Sequence, residues 1–231
     1  MTSPTAPIPN NPAGAESTLK TLLPELYALR QVTENNGWHT DDPFHQSLRL
    51  RQWLAELPAS LVDLGLAPGR LPLSRHLSAR VDPGAGIHTT QALLEFVALI
   101  HDVGKKETFG RRPDGTTRCP GHEVAGARLA GPICARFDLT PIETGFITTL
   151  VKTHGRPYAL FKETAGLSAA QQQDRICRFE QQHAAYLCPL LLLACGDLVT
   201  SHLPLNRPAR YEAVRRFYRD CVVRCSGWIA A

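Results

Sequence analysis

The chain has no apolar run long enough to span a bilayer. The longest, "YLCPLLLLACG", is too short and is interrupted by a proline. The first residues, "MTSPTAPIPNNPAGAES", have neither the basic start nor the apolar centre of a secretory signal. No two of the seven cysteines stand at the CxxC spacing of a zinc site. There is no internal repeat, no glycine-rich phosphate loop following a strand and no nucleophile elbow. Basic residues are not bunched, so the net charge of +4 is compatible with a phosphate-bearing ligand without indicating nucleic acid by itself. These absences exclude a membrane span, a secreted disulfide scaffold and the common nucleotide-binding loops.

What is present is ordinary for a soluble globular chain: 231 residues, 43% hydrophobic and 20% charged. That length suffices for one large domain with a substantial core. Most cysteines lie in apolar or helical runs, which reads as buried free thiols in a reducing compartment. A cytoplasmic location is expected.

Residues 1–16, rich in Pro, Asn, Ser and Ala, read as a disordered tail. Residues 17–231 read as a single helical domain. Leu19, Leu22, Leu23, Leu26 and Leu29 form an apolar stripe of helical period, with Ser17 as its N-cap. A second helix opens at Asp42-Pro43, a capping residue followed by a proline suited to the first turn, and should bury Leu48, Leu50, Trp53 and Leu54. Residues 58–85 are broken by Pro68, Pro72 and Pro83. A third helix runs from Thr89 to Asp102. The Asp114-Gly115 step then signals a small hairpin. Further helices are expected from about Pro120, from Thr140 to Gly155, over Ser168–Gln182, over Tyr186–Ser201 and from Arg207. The last is expected to bury Tyr211, Val214 and Phe217 with its arginines outward, contact with RNA being the alternative. The fold class is therefore all-α with one small β-hairpin.

Several of the nine histidines, and one aspartate, sit awkwardly for a purely structural role. Asp197 lies in a helix that is apolar on every side, where an unpartnered carboxylate costs several kcal/mol; it needs a cation or a wet face. His101-Asp102 ends a core helix, and a carboxylate is disfavoured at a helix C-terminus. A divalent cation would satisfy both groups. Gly104 is expected to let the chain leave at once and open space above the helix end. His45, His122 and His154 each stand near the end of a different helix. The series His45, His101-Asp102, His122, His154, Asp197 is the kind of set from which helical bundles build metal sites.

This series resembles the HD superfamily of metal-dependent phosphohydrolases over about residues 40–205. Its most specific stretch is "ALIHDVGK". "RCPGHEVAGARLA", after the hairpin, is most similar to the HD domain attached to bacterial CCA-adding tRNA nucleotidyltransferases, and "LVKTHGRPY" and "LLLLACGDL" fit later elements of the family. Only about 40 residues precede His45, too few for a catalytic polymerase domain, so CCA addition is not expected.

The resemblance implies an HD-type helical bundle with a C-terminal helix over 207–225, and a divalent metal on His45, His101, Asp102 and Asp197. His122 and His154 would complete a second metal site, bind phosphate or protonate the leaving group. Lys105 is assigned a phosphate contact or a salt bridge beside the site, and Arg156 a substrate phosphate. Asp102, His122, His154 and Lys105 form the catalytic set. The histidine-rich donors favour one or two ions of Mn, Fe, Co, Ni or Zn, with Mg less suited. Metal-activated water would cleave a phosphomonoester or 2′,3′-cyclic phosphodiester of a nucleotide or RNA 3′ end. A nucleotidase or dinucleotide hydrolase acting on free nucleotides, and a non-catalytic HD module binding nucleotide or RNA, stand as alternatives.

Overall fold

The computed structural model describes residues 12–67 and 73–229. Residues 1–11 of the expected tail lie outside the described residues. The remainder of it is helical, because the first helix, α1, covers Pro12–Leu22. Ser17 is therefore inside α1 rather than its cap. The leucine stripe itself is as expected, with Leu19, Leu23, Leu26 and Leu29 buried. Pro24, which has no N–H to donate, breaks it into α1 and a short α2, Pro24–Ala28.

The helices that follow are α3 (Pro43–Ala55), α4 (Leu73–Ser78), α5 (Thr90–Ile100) and α6 (Lys105–Thr108). A two-stranded antiparallel hairpin, β1 (Gly110–Arg111) and β2 (Thr117–Arg118), pairs Gly110 with Arg118 and Arg111 with Thr117. Gly115 takes φ +80 at its tip, the backbone region that the Asp-Gly signal anticipates. Then come α7 (His122–Cys134), α8 (Pro141–Thr153), α9 (Arg156–Thr164), α10 (Ala169–Gln182), α11 (Leu187–Val199), α12 (Leu203–Asn206) and α13 (Pro208–Ile229). The all-α expectation with one small hairpin holds.

Local chemistry accounts for the main boundaries. Asp42 caps α3 by accepting from the His45 N–H at 2.9 Å, with Pro43 in the first turn. Thr140 and Glu143 form a reciprocal capping box on α8, as do Ser168 and Gln171 on α10. The helix α9 had no counterpart in the sequence reading, although Arg156-Pro157 just after Gly155 is a start signal.

Helix α5 is the centre of the core, with Leu93, Leu94, Phe96, Val97, Ala98, Leu99 and Ile100 all buried. Each fully buried Leu or Ile contributes about 1.5–3 kcal/mol relative to exposure, which fixes where the C-terminal end of α5 lies. Helix α11 is apolar all round and buried along nearly its whole length. A Cβ on Gly196 would sit 2.5 Å from Leu50 and 2.8 Å from Trp53. That glycine lets α11 close on α3 and sets Asp197 beside the first turn of α3. All seven cysteines are free. Among the described residues no single helix is long and apolar enough to cross a membrane.

Candidate metal centre and phosphate pocket

The end of α5 delivers His101 and Asp102 into the interior, where both are essentially inaccessible. His101 Nδ1 pairs with the Ala98 carbonyl at 2.9 Å. His122, in the first turn of α7, uses Nδ1 on the Cys119 carbonyl at 2.8 Å, and His154, at the end of α8, uses Nδ1 on the Val151 carbonyl at 2.7 Å. A ring nitrogen that meets a carbonyl must carry the proton, so all three imidazoles present Nε2 inward.

Those nitrogens converge. His122 Nε2 and His154 Nε2 are 3.1 Å apart. Each also faces Asp102 Oδ1, at 3.3 and 3.7 Å. His101 Nε2 is buried without a hydrogen-bond partner, 3.2 Å from Asp102 Oδ2 and 3.9 Å from Asp197 Oδ1. Asp102, His122 and His154 offer ligand atoms that all lie within 4.8 Å of one another. Neutral imidazole lone pairs pointed at each other and at carboxylates repel unless a cation sits among them. The donor set of imidazole nitrogen and carboxylate oxygen fits a divalent transition metal.

Without that cation, protons compensate. Burial opposes charge on His101, but Asp102 and Asp197 outweigh it and raise its pKa above the usual imidazole value. His122 is likewise raised, its burial overcome by the Asp102 carboxylate. His154 is pushed down to about 3 by burial and by the neighbouring His101 and His122. Burial disfavours the charge on Asp102, yet His101 and Lys105 hold it well below the ordinary carboxylate range. Burial raises Asp197.

Lys105 is buried and makes two ion pairs, 2.7 Å to Glu34 Oε2 and 2.9 Å to Asp102 Oδ2. The salt bridge expected of it beside the site is present, and Lys105 also lines the cavity above the cluster. Gly104 departs from its expected role. Its backbone is ordinary right-handed helix, φ −66, and the chain continues directly into α6. The glycine is needed because a Cβ there would overlap the His122 carbonyl oxygen and the Gly126 nitrogen. It allows α7 to press against the α5 end and so places His122.

Two expected site residues are not brought to the cluster. The His45 side chain is 50% exposed and turned back onto Asp42, with Nδ1 2.9 Å from Oδ2. Gln46, one residue later, is the buried one, and its amide donates to Asp197 Oδ1 at 2.7 Å. The signal was in the sequence: counting back four from Leu50 along the buried stripe of α3 gives Gln46, not His45. Arg156 points away from the cluster, toward Glu163 at 3.7 Å.

Above the cluster lies a cavity of about 570 Å³ with Asp102, His122, His154 and Asp197 among its walls. Its cationic lining comes from Lys105, Arg112, Lys162, Arg207 and Arg210, the last four of which sequence reading did not single out. Trp38 and Tyr158, in edge contact at 4.6 Å between ring centroids, form an aromatic wall. Arg210, on α13, is exposed, as expected of that helix, and lies over the Tyr158 and Phe161 rings. Tyr211 and Phe217 are half-buried and Val214 is fully buried, as expected of that helix.

No known protein-family profile matches the chain. The chain is similar to the A-adding tRNA nucleotidyltransferase of Deinococcus radiodurans, at 41% identity over 63 residues, which is 27% of this chain and 14% of that protein. The chain thus matches only a small part of the length of this curated relative, and the shared segment joins it to an enzyme acting on tRNA.

Proposed function

We propose that the chain is a metal-dependent phosphohydrolase of the HD superfamily, cleaving a phosphomonoester or a 2′,3′-cyclic phosphodiester of a nucleotide or RNA end. The observation that carries this reading is the convergence of three Nδ1-anchored imidazoles and two carboxylates at the floor of a cation-lined cavity. His101, Asp102, His122, His154 and Asp197 would hold one or two ions. Such an ion, when bound, supplies Lewis acidity that activates water and offsets phosphoryl charge.

The chain's own residues have separable tasks. Lys105 positions Asp102 and keeps it ionised. Gln46 orients Asp197 by occupying one of its oxygens. Arg112, Lys162, Arg207 and Arg210 provide the positive potential that draws and holds a phosphate. Trp38 and Tyr158 offer aromatic rings against which a base can pack, and base–aromatic stacking contributes about 1–3 kcal/mol. His122 is partly open to the cavity, and its Nε2 either binds an ion or, left unligated, carries the proton for a leaving oxygen. The partial similarity to a tRNA nucleotidyltransferase supports a nucleotide or RNA 3′ end as substrate.

A second reading is a non-catalytic module that binds nucleotide or RNA. It is favoured by one observation: the first turn of α3 presents an amide, Gln46, to the cluster while His45 faces solvent. The deciding experiment is turnover of p-nitrophenyl phosphate, bis-p-nitrophenyl phosphate, 2′,3′-cyclic AMP and free nucleotides by metal-stripped protein with added Mn, Co or Ni. Metal-dependent turnover that Asp102→Ala abolishes supports the hydrolase. Nucleotide binding without turnover under any metal supports the module. Hydrolysis confined to free nucleotides assigns a nucleotidase.

A further inference from the structure

A second set of ligand-type side chains lies outside the cluster just described. His39 is 5% exposed and sits in the segment between α2 and α3; Asp41 follows it, and His202 lies just past α11. Ligand atoms of these three lie within 4.8 Å of one another. His39 Nδ1, Asp41 Oδ1 and His202 Nδ1 are each buried and have no hydrogen-bond partner. Three neighbouring orphaned polar atoms would carry a substantial desolvation cost if nothing lay between them.

The Asp41 carboxylate is further arranged as a ligand would be. One oxygen, Oδ2, accepts from Arg49 Nη2 at 2.7 Å, which fixes the plane of the group and leaves Oδ1 for the interior. His202 Nδ1 stands 3.5 Å from that oxygen, beyond a good hydrogen bond. Such outer partners orient the ligands of protein metal sites, and their loss costs about 10–100-fold in affinity. Two imidazoles and one monodentate carboxylate leave a fourth position for water, the donor set of a divalent transition ion.

We infer that His39, Asp41 and His202 form a second, separate site for a divalent transition metal. Its location gives it a structural task. The His202 N–H already donates to the Trp38 carbonyl at 3.0 Å. An ion there clamps the segment that carries Glu34, the partner of Lys105, and Trp38, a pocket wall, to the turn that follows Asp197. It therefore holds one side of the pocket, whose wall includes His39 itself.

The test is cobalt binding to the full chain after chelator treatment, read by visible absorption and by metal content. Asp102→Asn and His154→Ala, which damage the first cluster, should each retain one equivalent of Co²⁺. Adding His202→Ala or His39→Ala to either should remove it. Arg49→Met should weaken it by about 10–100-fold while the protein still binds. Should a histidine variant fail to fold by circular dichroism, Asp41→Asn, which keeps the shape, serves in its place. The inference is overturned if the first-cluster variants bind no cobalt, or if the retained equivalent survives changes at all three residues; the trio is then an ion pair or a water site. If the wild type binds one equivalent only, lost on changing His202 and untouched by Asp102→Asn, this site stands and the metal-dependent hydrolase reading fails.

Discussion

His122 and His154 confront each other Nε2 to Nε2 at 3.1 Å, while each commits its Nδ1 proton to a backbone carbonyl, of Cys119 and of Val151. Neither ring can turn to relieve the contact without losing that carbonyl. The backbone ends of α7 and α8 thus hold two lone pairs in apposition and leave the relief to whatever cation enters. Replacing Asp102 by Asn keeps the shape and removes the charge that makes such a cation welcome. Metal content should fall to that of the second site, and metal-dependent turnover should vanish, with the helical circular dichroism spectrum retained. Loss should exceed the roughly 10–100-fold typical of an outer partner.

The same geometry sets a pH dependence for the metal-free protein. His101 and His122 titrate above the ordinary imidazole value of about 6.5. Their contribution to stability is complete below that value and is lost as pH rises through their raised folded pKa values. His154, at about 3, behaves oppositely: the unfolded chain takes up its proton below about 6.5 while the fold refuses it, so stability falls with falling pH down to about 3. The urea midpoint of metal-free protein should therefore pass through a maximum near the ordinary imidazole pKa. Added metal should flatten the alkaline limb. Binding should release protons, measurable by calorimetry in two buffers of different ionisation enthalpy. An unchanged alkaline limb on metal addition would count against Nε2 ligation.

Lys105 is enclosed by Asp102 and Glu34, which between them raise its pKa despite its burial. Removing one partner of a buried ion pair costs about 3–5 kcal/mol because the other is left uncompensated. Lys105→Met should lose about that much in urea unfolding. Combining it with Glu34→Leu should restore part of the loss. A Lys105 that instead only binds substrate phosphate would change KM and leave the unfolding curve unmoved.

Much of this fold was legible from caps and turns. Asp42-Pro43, Thr140 and Ser168 mark helix starts, and Asp114-Gly115 marks the hairpin, because each acts on its own neighbours. The His-Asp doublet and Asp197 were legible because charge in an apolar run has few explanations. What was not legible depends on contacts between distant segments. Glu34 and Lys105, Gln46 and Asp197, and His39 and His202 meet only through the packing of α3, α5 and α11. Gly104 was misread for a related reason: its need is set by α7 passing over it, not by its own backbone angle. The outward turn of His45 follows from the helical period of α3, on which Gln46, Leu50 and Leu54 share one side.

Gly104 yields a prediction with a clear mechanism. A methyl group there meets backbone atoms of α7, which cannot move aside as a flexible side chain could. Gly104→Ala should push α7 outward, lowering stability by about 1–3 kcal/mol, the usual range for overpacking. Because His122 begins α7, metal affinity should fall together with stability. Gly115→Ala provides the contrast. It strains only the hairpin tip, has nothing within contact distance, and should leave metal binding unchanged.

The exchange between His45 and Gln46 is the sharpest test of how the site is built. His45 is exposed, and its ring serves the Asp42 cap rather than the cluster. His45→Ala should leave metal content and turnover at wild-type levels, with a stability change within about 0.5 kcal/mol, as for surface positions. Gln46 lies buried against Asp197, and its Oε1 has no hydrogen-bond partner. Gln46→His would place an imidazole where an amide now only orients a carboxylate, adding a nitrogen donor on the α3 side of the cluster. Metal affinity should rise if the ring reaches the ion, and stripped protein should reload at lower metal concentration. Gln46→Leu should do the reverse: Asp197 loses its side-chain amide donor, and affinity should drop within the range of an outer partner, about 10–100-fold. If His45→Ala instead empties the site while Gln46→His changes nothing, then α3 presents His45 inward when metal is bound, and the first turn of that helix rotates on loading.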